Sequence, residues 1–417
     1  MTEGGSPASK RGGGVGWRDR DHTRGSLPVS LLVLALPGFA TSLSGVVFQL
    51  TDLAFISRLG DAPMASVVIV NQTLRQTFFM LLMGGSFGIQ ALIAGAVGAG
   101  NIERAEHIAG QAIALAFAIS ATMMLAGGLF PELLFSLPGP DPSFYEYGVP
   151  YVRLIFLLNF GVVGTLFFNS ILGGAGDTTT PLFVTLVQTA VALSAEWVLI
   201  FGRLGSPALG VRGVALGVAT GQITAMALGL SVLFKGRSRI HLRGRHVLPD
   251  WAVLEQIARL SWPPAIQMLG GVAMTFAFLR MAGSFGESVQ AAYAIGLRLG
   301  MLAPMVCFPL ASACATLVGQ SLGSGNVPRA WQTVRTGLAV HGVLMATLAI
   351  GLGLFRGEII SAFSGDPEVI RIGTEYLGYL ACNLALWALY FPFLRSLQGA
   401  GDFLVPMAIS LGTTFLV

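Results

Sequence analysis

Long, unbroken apolar segments run through this sequence and leave it very few possible folds. About 20 consecutive apolar residues form a helix long enough to cross the hydrocarbon core of a membrane, whereas a membrane barrel would show short alternating segments. Of the 417 residues, 54% are hydrophobic and 11% are charged, too few charges to cover a soluble surface. The chain is therefore predicted to be an all-α polytopic membrane protein. Its predicted membrane segments are 28–57, 64–97, 107–130, 150–171, 181–202, 212–234, 251–282, 288–320, 332–355, 371–395 and 404–417.

Basic residues in two polar segments predict the orientation of the helices. The first 27 residues carry five Lys or Arg among Gly and Ser and lack the apolar core of a signal peptide, which is typical of a disordered tail. The joint KGRSRIHLRGRH at 235–246 carries five more. Because Lys and Arg accumulate on the cytoplasmic side, both segments are predicted to be cytoplasmic, with six helices between them. The predicted units are a cytoplasmic tail (1–27), an N-terminal lobe (28–235), a basic cytoplasmic loop (236–250) and a C-terminal lobe (251–417).

A repeat with an offset of 225 residues relates the two lobes. The turn GAGD begins at Gly174 and again at Gly399, and GAGN at Gly98 is matched by GSGN at Gly323. Six helices per repeat, an even number, keep both copies in the same orientation. The two six-helix lobes are therefore predicted to be pseudo-symmetric about an axis along the membrane normal, a plan that transporters use. An old duplication without a transport role is the alternative.

The same offset predicts that the C-terminal lobe is truncated. Residue 417 corresponds to residue 192, and nothing in the sequence corresponds to 193–235. We therefore expect the intact protein to have twelve membrane helices, of which about ten to eleven lie in this sequence, and about 40 further residues.

Three stretches resemble the multidrug and toxic compound extrusion (MATE) transporters. LALPGFATSLSGVVFQLTDLAFISRLG (34–60) is similar to their first helix, 171–202 to their fourth-to-fifth helix region, and GVRGVALGVATGQ (210–222) to the start of their sixth. The resemblance covers roughly residues 28–417. It implies a twelve-helix exporter that moves amphiphilic, often cationic compounds outward, driven by an inward proton or sodium gradient.

Asp52 is the first candidate for a functional residue, because ionisable groups inside membrane segments are costly and mark ion or substrate pathways. It lies well inside the first segment, 15 residues after Pro37. The alternative is a hydrated aspartate at the outer helix end, since Arg58 follows six residues later. In the family that this segment resembles, the position takes up the coupling cation.

Glu196 is the second candidate, where the family usually carries Asp. The alternative is an interfacial carboxylate beside Trp197. The resemblance also places Asn169 at the polar position of the fourth helix and Thr220 at the hydroxyl of the sixth, so that these four residues would form a site for the coupling cation and the substrate. Two carboxylates in one dry lobe would repel each other and titrate as a pair.

Pro37 is a candidate hinge, because a proline removes one backbone hydrogen bond and permits a kink. Protonation of Asp52 would bias the first helix between straight and bent forms. A static kink is the alternative. In the C-terminal lobe, the place where another MATE branch carries a glutamate falls near Gly270 and Gly271. The resemblance is therefore closest to the branch called DinF-like, whose cation site is in the first lobe.

Other kinds of site find no support in the sequence. The three cysteines lack CxxC spacing and the five histidines are scattered, so no metal site and no cofactor beyond the coupling ion are predicted. The first hypothesis is a monomeric drug exporter of the cell (inner) membrane, which binds small molecules and lipid but no nucleic acid. The runner-up is a flippase for an amphiphilic lipid or lipid-linked sugar. A membrane enzyme would need clustered His, Asp or Arg at one membrane face, and is therefore less expected.

Overall fold

Membrane-length helices make up most of the protein. The computed structural model describes residues 26–139, 141–236, 238–300 and 302–416, and no strand occurs in these ranges. The main helices are α1 (Leu27–Ile56), α2 (Asp61–Gly98), α3 (Ile102–Leu129), α4 (Tyr145–Leu157), α5 (Phe160–Ala175), α6 (Thr179–Phe201), α7 (Val211–Phe234), α8 (Trp251–Ser284), α9 (Glu287–Gly300), α10 (Leu302–Gly323), α11 (Val327–Leu354), α12 (Pro367–Gly399) and α13 (Leu404–Leu416).

Nine helices within the described ranges are long and apolar enough to cross a membrane, and the bent pair α4–α5 makes a tenth span. The shorter α13 falls at the last predicted segment. The predicted all-α membrane architecture is therefore confirmed. Residues 1–25 of the predicted tail lie outside the described residues. Leu27 already belongs to α1, because Pro28 starts the helix at a position where the missing N–H costs no hydrogen bond.

One of the predicted segments is made of two helices. The predicted segment 150–171 is broken between α4 and α5, whose axes meet at 47°. At the break, Asn159 donates a hydrogen bond to the carbonyl of Phe156 and a second, 3.2 Å long, to the carbonyl of Ser120 on α3. A side-chain amide that binds backbone carbonyls replaces helical hydrogen bonds locally.

The internal repeat is visible in the helix boundaries. Adding 225 to the bounds of α3 (Ile102–Leu129) gives those of α11 (Val327–Leu354), and the short helix Pro131–Ser136 recurs as Arg356–Ser361. Helices α3 and α11 also begin in the same way, because the side chains of Asn101 and Asn326 cap their first turns. The two halves are therefore built from the same sequence of elements.

The repeated glycines have the same backbone conformation in both halves. Gly100 and Gly325 have φ of +73° and +74°, and Gly176 and Gly401 have φ of +87° and +90°. These values lie in the left-handed region that other residues adopt only with strain. The repeated motifs thus contain two kinds of turn that require glycine, and each kind occurs once in each half.

Small residues bring the two halves into backbone contact. A Cβ atom added to Gly84 of α2 would lie 2.6 Å from the Cα of Ala265 on α8, and one added to Gly98 would lie 2.6 Å from the Cα of Gln320 on α10. Membrane helices commonly associate through small residues in this way. Helix α2 therefore packs against two helices of the second half.

A buried polar network joins the halves at one end of the molecule. Gln90 of α2 donates hydrogen bonds to Ser312 (2.8 Å) and Thr316 (3.1 Å) of α10, and its amide oxygen accepts one from Arg395 of α12. The Arg395 guanidinium lies 3.8 Å from the ring centroid of Phe87. Gln90 and Thr316 are near the helix ends that the predicted topology places in the cytoplasm. The halves are thus held together at that end.

The joint between the halves is docked on the start of α3. Arg245 forms a 2.9 Å ion pair with Glu103, and Asp250 forms one of 2.9 Å with His107. The side-chain amide of Gln111 donates to two carbonyls of the joint. The basic loop is therefore an ordered connection whose charges are partly paired with α3.

Candidate functional site

The two carboxylates singled out in the sequence are both buried. Asp52 of α1 is 9% exposed and Glu196 of α6 is fully buried. Oδ1 of Asp52 and both carboxylate oxygens of Glu196 have no hydrogen-bond partner among the described residues. Glu196 is therefore enclosed by the protein. Its neighbour Trp197 is the exposed residue, and Arg203 lies 5.7 Å from the Trp197 ring.

The packing of α1 against α6 explains why Asp52 and Glu196 come together. The hydroxyls of Ser44 and Thr189 share a hydrogen bond of 3.0 Å between these two helices. Since α1 and α6 both follow an even number of preceding spans, they run in the same direction. Asp52 lies eight residues after Ser44, and Glu196 lies seven residues after Thr189, about two helical turns in each case. The charges of the two carboxylates interact with each other.

Close contact between α6 and α7 fixes the position of Glu196. A Cβ atom on Gly217 would lie 2.4 Å from the Cγ of Glu196, and one on Gly221 would lie 2.6 Å from the Cβ of Ala192. Because Gly217, Gly221 and Ala192 are small, the backbones of α6 and α7 lie in contact, and the Glu196 side chain is held against α7.

A π-helical turn in α2 adds a cation to the two carboxylates. The turn covers Asn71–Arg75, and its last residue, Arg75, interacts electrostatically with both Asp52 and Glu196. The Asn71 side-chain oxygen accepts hydrogen bonds from Arg75 (3.4 Å) and from the buried hydroxyl of Tyr151 (3.1 Å). Single π turns inside α-helices are frequent at functional sites.

We call these residues the charged cluster: Asp52, Arg75, Tyr151 and Glu196. Its members come from α1, α2, α4 and α6 of the first half. Neither carboxylate forms a direct ion pair with Arg75, so the three charges interact over a distance. Sequence reasoning missed Arg75. The signal that was available is an Arg inside a span with Asn four residues before it.

A cavity of about 330 Å³ lies beside the charged cluster in the first half. Its polar lining consists of Thr41, Arg75, Asn159, Thr165, Asn169, Thr185, Gln188 and Gln222, and Phe78, Phe79 and Phe156 supply aromatic surface. Among the described residues that line it, Arg75 is the only one with a formal charge. The side-chain oxygens of Thr165 and Asn169 are buried and have no hydrogen-bond partner in the described ranges. The cavity can therefore surround an aromatic molecule and offer it hydrogen bonds.

The structure brings together some of the sequence-predicted site residues and not others. Asn169 lines the cavity beside the charged cluster. Thr220 does not, because its side chain is exposed and its hydroxyl donates to the carbonyl of Leu216, 2.7 Å away. Gln222, two residues further on, faces the cavity. A shift of two residues turns a helical side chain by about 200°, which places it on the opposite face.

Pro37 lies at the contact between the two halves. Helix α1 runs without interruption from Leu27 to Ile56, and the Pro37 carbonyl accepts a 2.9 Å hydrogen bond from Thr41. A Cβ atom on the adjacent Gly38 would lie 2.7 Å from the Cβ of Pro309 on α10. Thus the candidate hinge of α1 contacts a proline-containing helix of the other half.

The second half holds no comparable pair of carboxylates within the described residues. A fully buried histidine, His341 of α11, has two ring nitrogens without a partner there. Cys307 and Cys314 pack in the same region, against Met345 and Gly337. Cys382 is exposed.

Comparison with known proteins agrees with this architecture. The MatE family model matches residues 37–198 and 263–417, once in each half. A probable multidrug resistance protein NorM of Thermotoga maritima is 28% identical over 383 residues, covering 91% of this chain and 82% of that protein. A FAD transporter of Shewanella oneidensis is 27% identical over 367 residues, covering 84% of this chain and 78% of the relative.

Solved structures have the same fold. A MATE protein in the straight conformation matches with a TM-score of 0.86 at 20% identity, covering 95% of this chain and 87% of the other. At this identity the likeness concerns the fold alone. The family model, however, matches well over half of the sequence, and it does so in both repeats. This chain belongs to the MatE family.

Proposed function

We propose that the protein is a secondary active multidrug efflux transporter, which exchanges amphiphilic, often cationic compounds for protons, or sodium ions, that enter down their gradient. The observation that carries the proposal is the pair of buried, unpartnered carboxylates beside a cavity in the first half. Ionisable groups kept inside a membrane protein mark ion pathways. The relatives that are named as multidrug resistance proteins support the same function.

Coupling follows from the chemistry of two carboxylates in one buried site. A proton neutralises one carboxylate and removes its repulsion with the other, so Asp52 and Glu196 exchange protons as a pair. Deprotonated, they attract a cationic substrate into the cavity. Protonated, they no longer do. Since the proton and the cation compete, the inward flow of one can drive the outward flow of the other.

Alternating access would be provided by the two repeats. We propose that units 28–235 and 251–417 rock against each other about the cavity, with the N-terminus and the basic loop in the cytoplasm. The network of Gln90, Ser312 and Arg395 holds the halves together at the cytoplasmic end, as expected of a state that is open to the outside. The site lies within one half, so the transporter is proposed to work as a monomer in the cell membrane.

The lining of the cavity supports small amphiphilic molecules as substrates. Its volume, about 330 Å³, is at the lower end of the range for small-molecule pockets. Phe78, Phe79 and Phe156 provide aromatic faces, while Asn169 and Gln222 provide hydrogen-bonding groups. Such a lining suits planar aromatic compounds of varied structure.

Transport in proteoliposomes tests the proposal. A pH gradient should drive uptake of rhodamine 6G in wild type, and reversal of the gradient should reverse its direction. Asp52→Asn keeps the shape of the side chain but removes its proton, so it should abolish exchange. The matched control is Asp61→Asn, which makes the same change at the exposed start of α2.

Normal proton-driven transport by the Asp52→Asn protein would contradict the carboxylate mechanism. Transfer of a labelled lipid between leaflets without any dye transport would instead support the flippase. Replacement of the pH gradient by a sodium gradient distinguishes the two coupling ions.

A further inference from the structure

Arg75 is the residue that belongs to both the charged cluster and the cavity. Its charge interacts with Asp52 and Glu196, and its half-buried side chain lines the cavity. The two carboxylates themselves are not among the lining residues. A substrate in the cavity is therefore closer to the Arg75 guanidinium than to the two carboxylates.

Titratable side chains from three helices surround Arg75. Asp52 faces it from α1, Glu196 from α6 and Tyr151 from α4, and tyrosine is neutral in the physiological pH range. Helix α7 contributes uncharged side chains to the cavity, and its one charged residue, Arg212, is exposed. The net charge of the cluster is thus set by two carboxylates and one guanidinium.

Arg75 makes the net charge of the cluster more positive by one unit in every protonation state. With both carboxylates ionised, the cluster carries one negative charge. With one proton bound it is neutral, and with two it carries one positive charge. Without Arg75 the same three states would have two, one and no negative charges. With the arginine, one bound proton already produces a site that no longer attracts a cation, and a second proton produces a site that repels it. Without the arginine, two protons are needed to end the attraction, and the site never repels a cation.

We infer that Arg75 is the residue that releases cationic substrates from the cavity when the carboxylate pair takes up protons. Asn71 supports this role, because its oxygen binds both Arg75 and Tyr151 and so holds the guanidinium at the border between cluster and cavity. This inference rests on the proposed function, in which the cavity beside the pair holds the transported molecule.

A consequence is that Arg75 discriminates between substrates by charge. A unit charge at about 8 Å in a medium of effective dielectric constant about 20 changes the binding of a cation by roughly tenfold or more. A neutral substrate does not experience this interaction. Replacement of Arg75 should therefore affect cations selectively, which a merely structural role would not do.

The test compares a cationic and a neutral probe at low pH. Binding of rhodamine 6G and of neutral chloramphenicol is measured on purified protein in lipid nanodiscs at pH 8 and pH 5.5. At pH 5.5, Arg75→Gln should bind rhodamine 6G at least tenfold more tightly than wild type, while chloramphenicol affinity stays within about threefold. Arg75→Lys keeps the charge and should behave like wild type, as should Arg153→Gln, a control at an exposed arginine of α4.

The same variants separate binding from turnover. In proteoliposomes, Arg75→Gln should lower the maximal rate of rhodamine 6G exchange more than it changes the half-saturating concentration, because release is the impaired step. Arg75→Met offers a second neutral variant of similar length, should the glutamine protein not fold, and carries the same expectation.

The outcomes distinguish the inference from the proposed function. If rhodamine 6G affinity of wild type falls at low pH but Arg75→Gln and Arg75→Met bind it no more tightly there, the role of Arg75 is wrong and the carboxylate mechanism survives. If wild-type affinity is independent of pH and Asp52→Asn transports normally, the proposed function fails, whatever Arg75 does. Equal gains for both probes would show a change of cavity shape and would also overturn the inference.

Discussion

Buried oxygens without partners are the feature of Glu196 and Asp52 that matters at the scale of single residues. A carboxylate removed from water needs a counter-charge, a hydrogen bond or a proton. Within the part of the chain that the structure describes, Oδ1 of Asp52 and both carboxylate oxygens of Glu196 have no hydrogen-bond partner, and Arg75 is close enough to interact but not to pair. These carboxylate oxygens can therefore bind protons, whereas a direct ion pair with Arg75 would have stabilised the charged forms of the two acids.

Substitutions at Glu196 test whether the two acids share a proton. Glu196→Gln should slow proton-coupled transport, and Glu196→Asp should be tolerated because it keeps the carboxylate. The double change Asp52→Asn with Glu196→Gln should cost less than the product of the single losses, since residues that act as a unit are not additive. The measurement is pH-driven dye exchange in proteoliposomes, with Glu132→Gln at an exposed site as control. Multiplicative losses would show that the acids act independently.

At the scale of helices, α1 connects the charged cluster to the second half of the molecule. Asp52 sits near one end of α1, while Gly38, the neighbour of Pro37, lies against Pro309 of α10 nearer the other end. A change of charge at Asp52 and a change of curvature at Pro37 therefore act on the same rigid element. A proline inside a helix lacks one hydrogen bond and bends more easily than other residues.

Replacement of this proline should slow movement more than it weakens binding. Pro37→Ala restores the missing hydrogen bond and stiffens α1, so the turnover rate should fall several-fold while substrate affinity stays nearly constant. Pro28→Ala, at the exposed start of the same helix, is the matched control. Rates come from dye exchange and affinities from fluorescence polarisation. A weaker affinity at an unchanged rate would assign Pro37 to the cavity rather than to a hinge.

The docked joint between the halves should respond to pH through His246. Burial lowers the pKa of this histidine, which lies in the joint beneath Gly110 of α3. A lowered pKa means that the undocked loop takes up protons first, so docking is stable above the ordinary histidine pKa of about 6.5 and weakens as pH falls below it.

Labelling of the loop measures this effect. A cysteine at Ser238 in inside-out vesicles should react faster with maleimide at pH 5.5 than at pH 8, after correction for the reactivity of a free thiol. His246→Gln should make the corrected rates equal. An undiminished difference in that variant would show that another group, such as the His107–Asp250 pair, controls docking.

At the scale of the whole molecule, the predicted topology places both the N-terminus and this joint in the cytoplasm. The prediction rests on the Lys and Arg content of the two segments. A cysteine at Ser238 should react with membrane-impermeant reagents only after the cells are opened, and one at Ser206, in the loop between α6 and α7, should react in intact cells. The reverse pattern would invert the molecule and move the Gln90 network to the outside.

Hydropathy and the repeat predicted most of the fold, because the length of an apolar segment and the spacing of left-handed glycines are local properties. The break at Asn159 could not be predicted in this way, since the apolar run continues through it and the cause is a contact with α3. The sequence also does not determine which face of a helix a given side chain occupies. Thr220 and Gln222 differ by two positions, and only the packing of α7 shows which one meets the cavity.

The charged cluster shows the same limit. Asp52 and Glu196 stood out as acids in apolar segments, but their proximity depends on the contact between α1 and α6. Arg75 is the last residue of the π turn in α2, and such a turn alters the direction of the side chains at its end and beyond it. An amino-acid pattern read at α-helical spacing contains no sign of that turn.

The π turn also has a consequence for comparing sequences within the family. It accommodates one more residue than an α-helical turn does. A relative that lacks a single residue between 71 and 75 can therefore form a regular α-helix there, and the counterparts of Gly84 and Gly98 would still face the opposite half. A relative that keeps every residue but forms an unbroken α-helix would instead have its second helix rotated by about 100° beyond that point. A gap-free alignment of that relative would join residues that lie on different faces of the helix, and its halves would meet along a different surface.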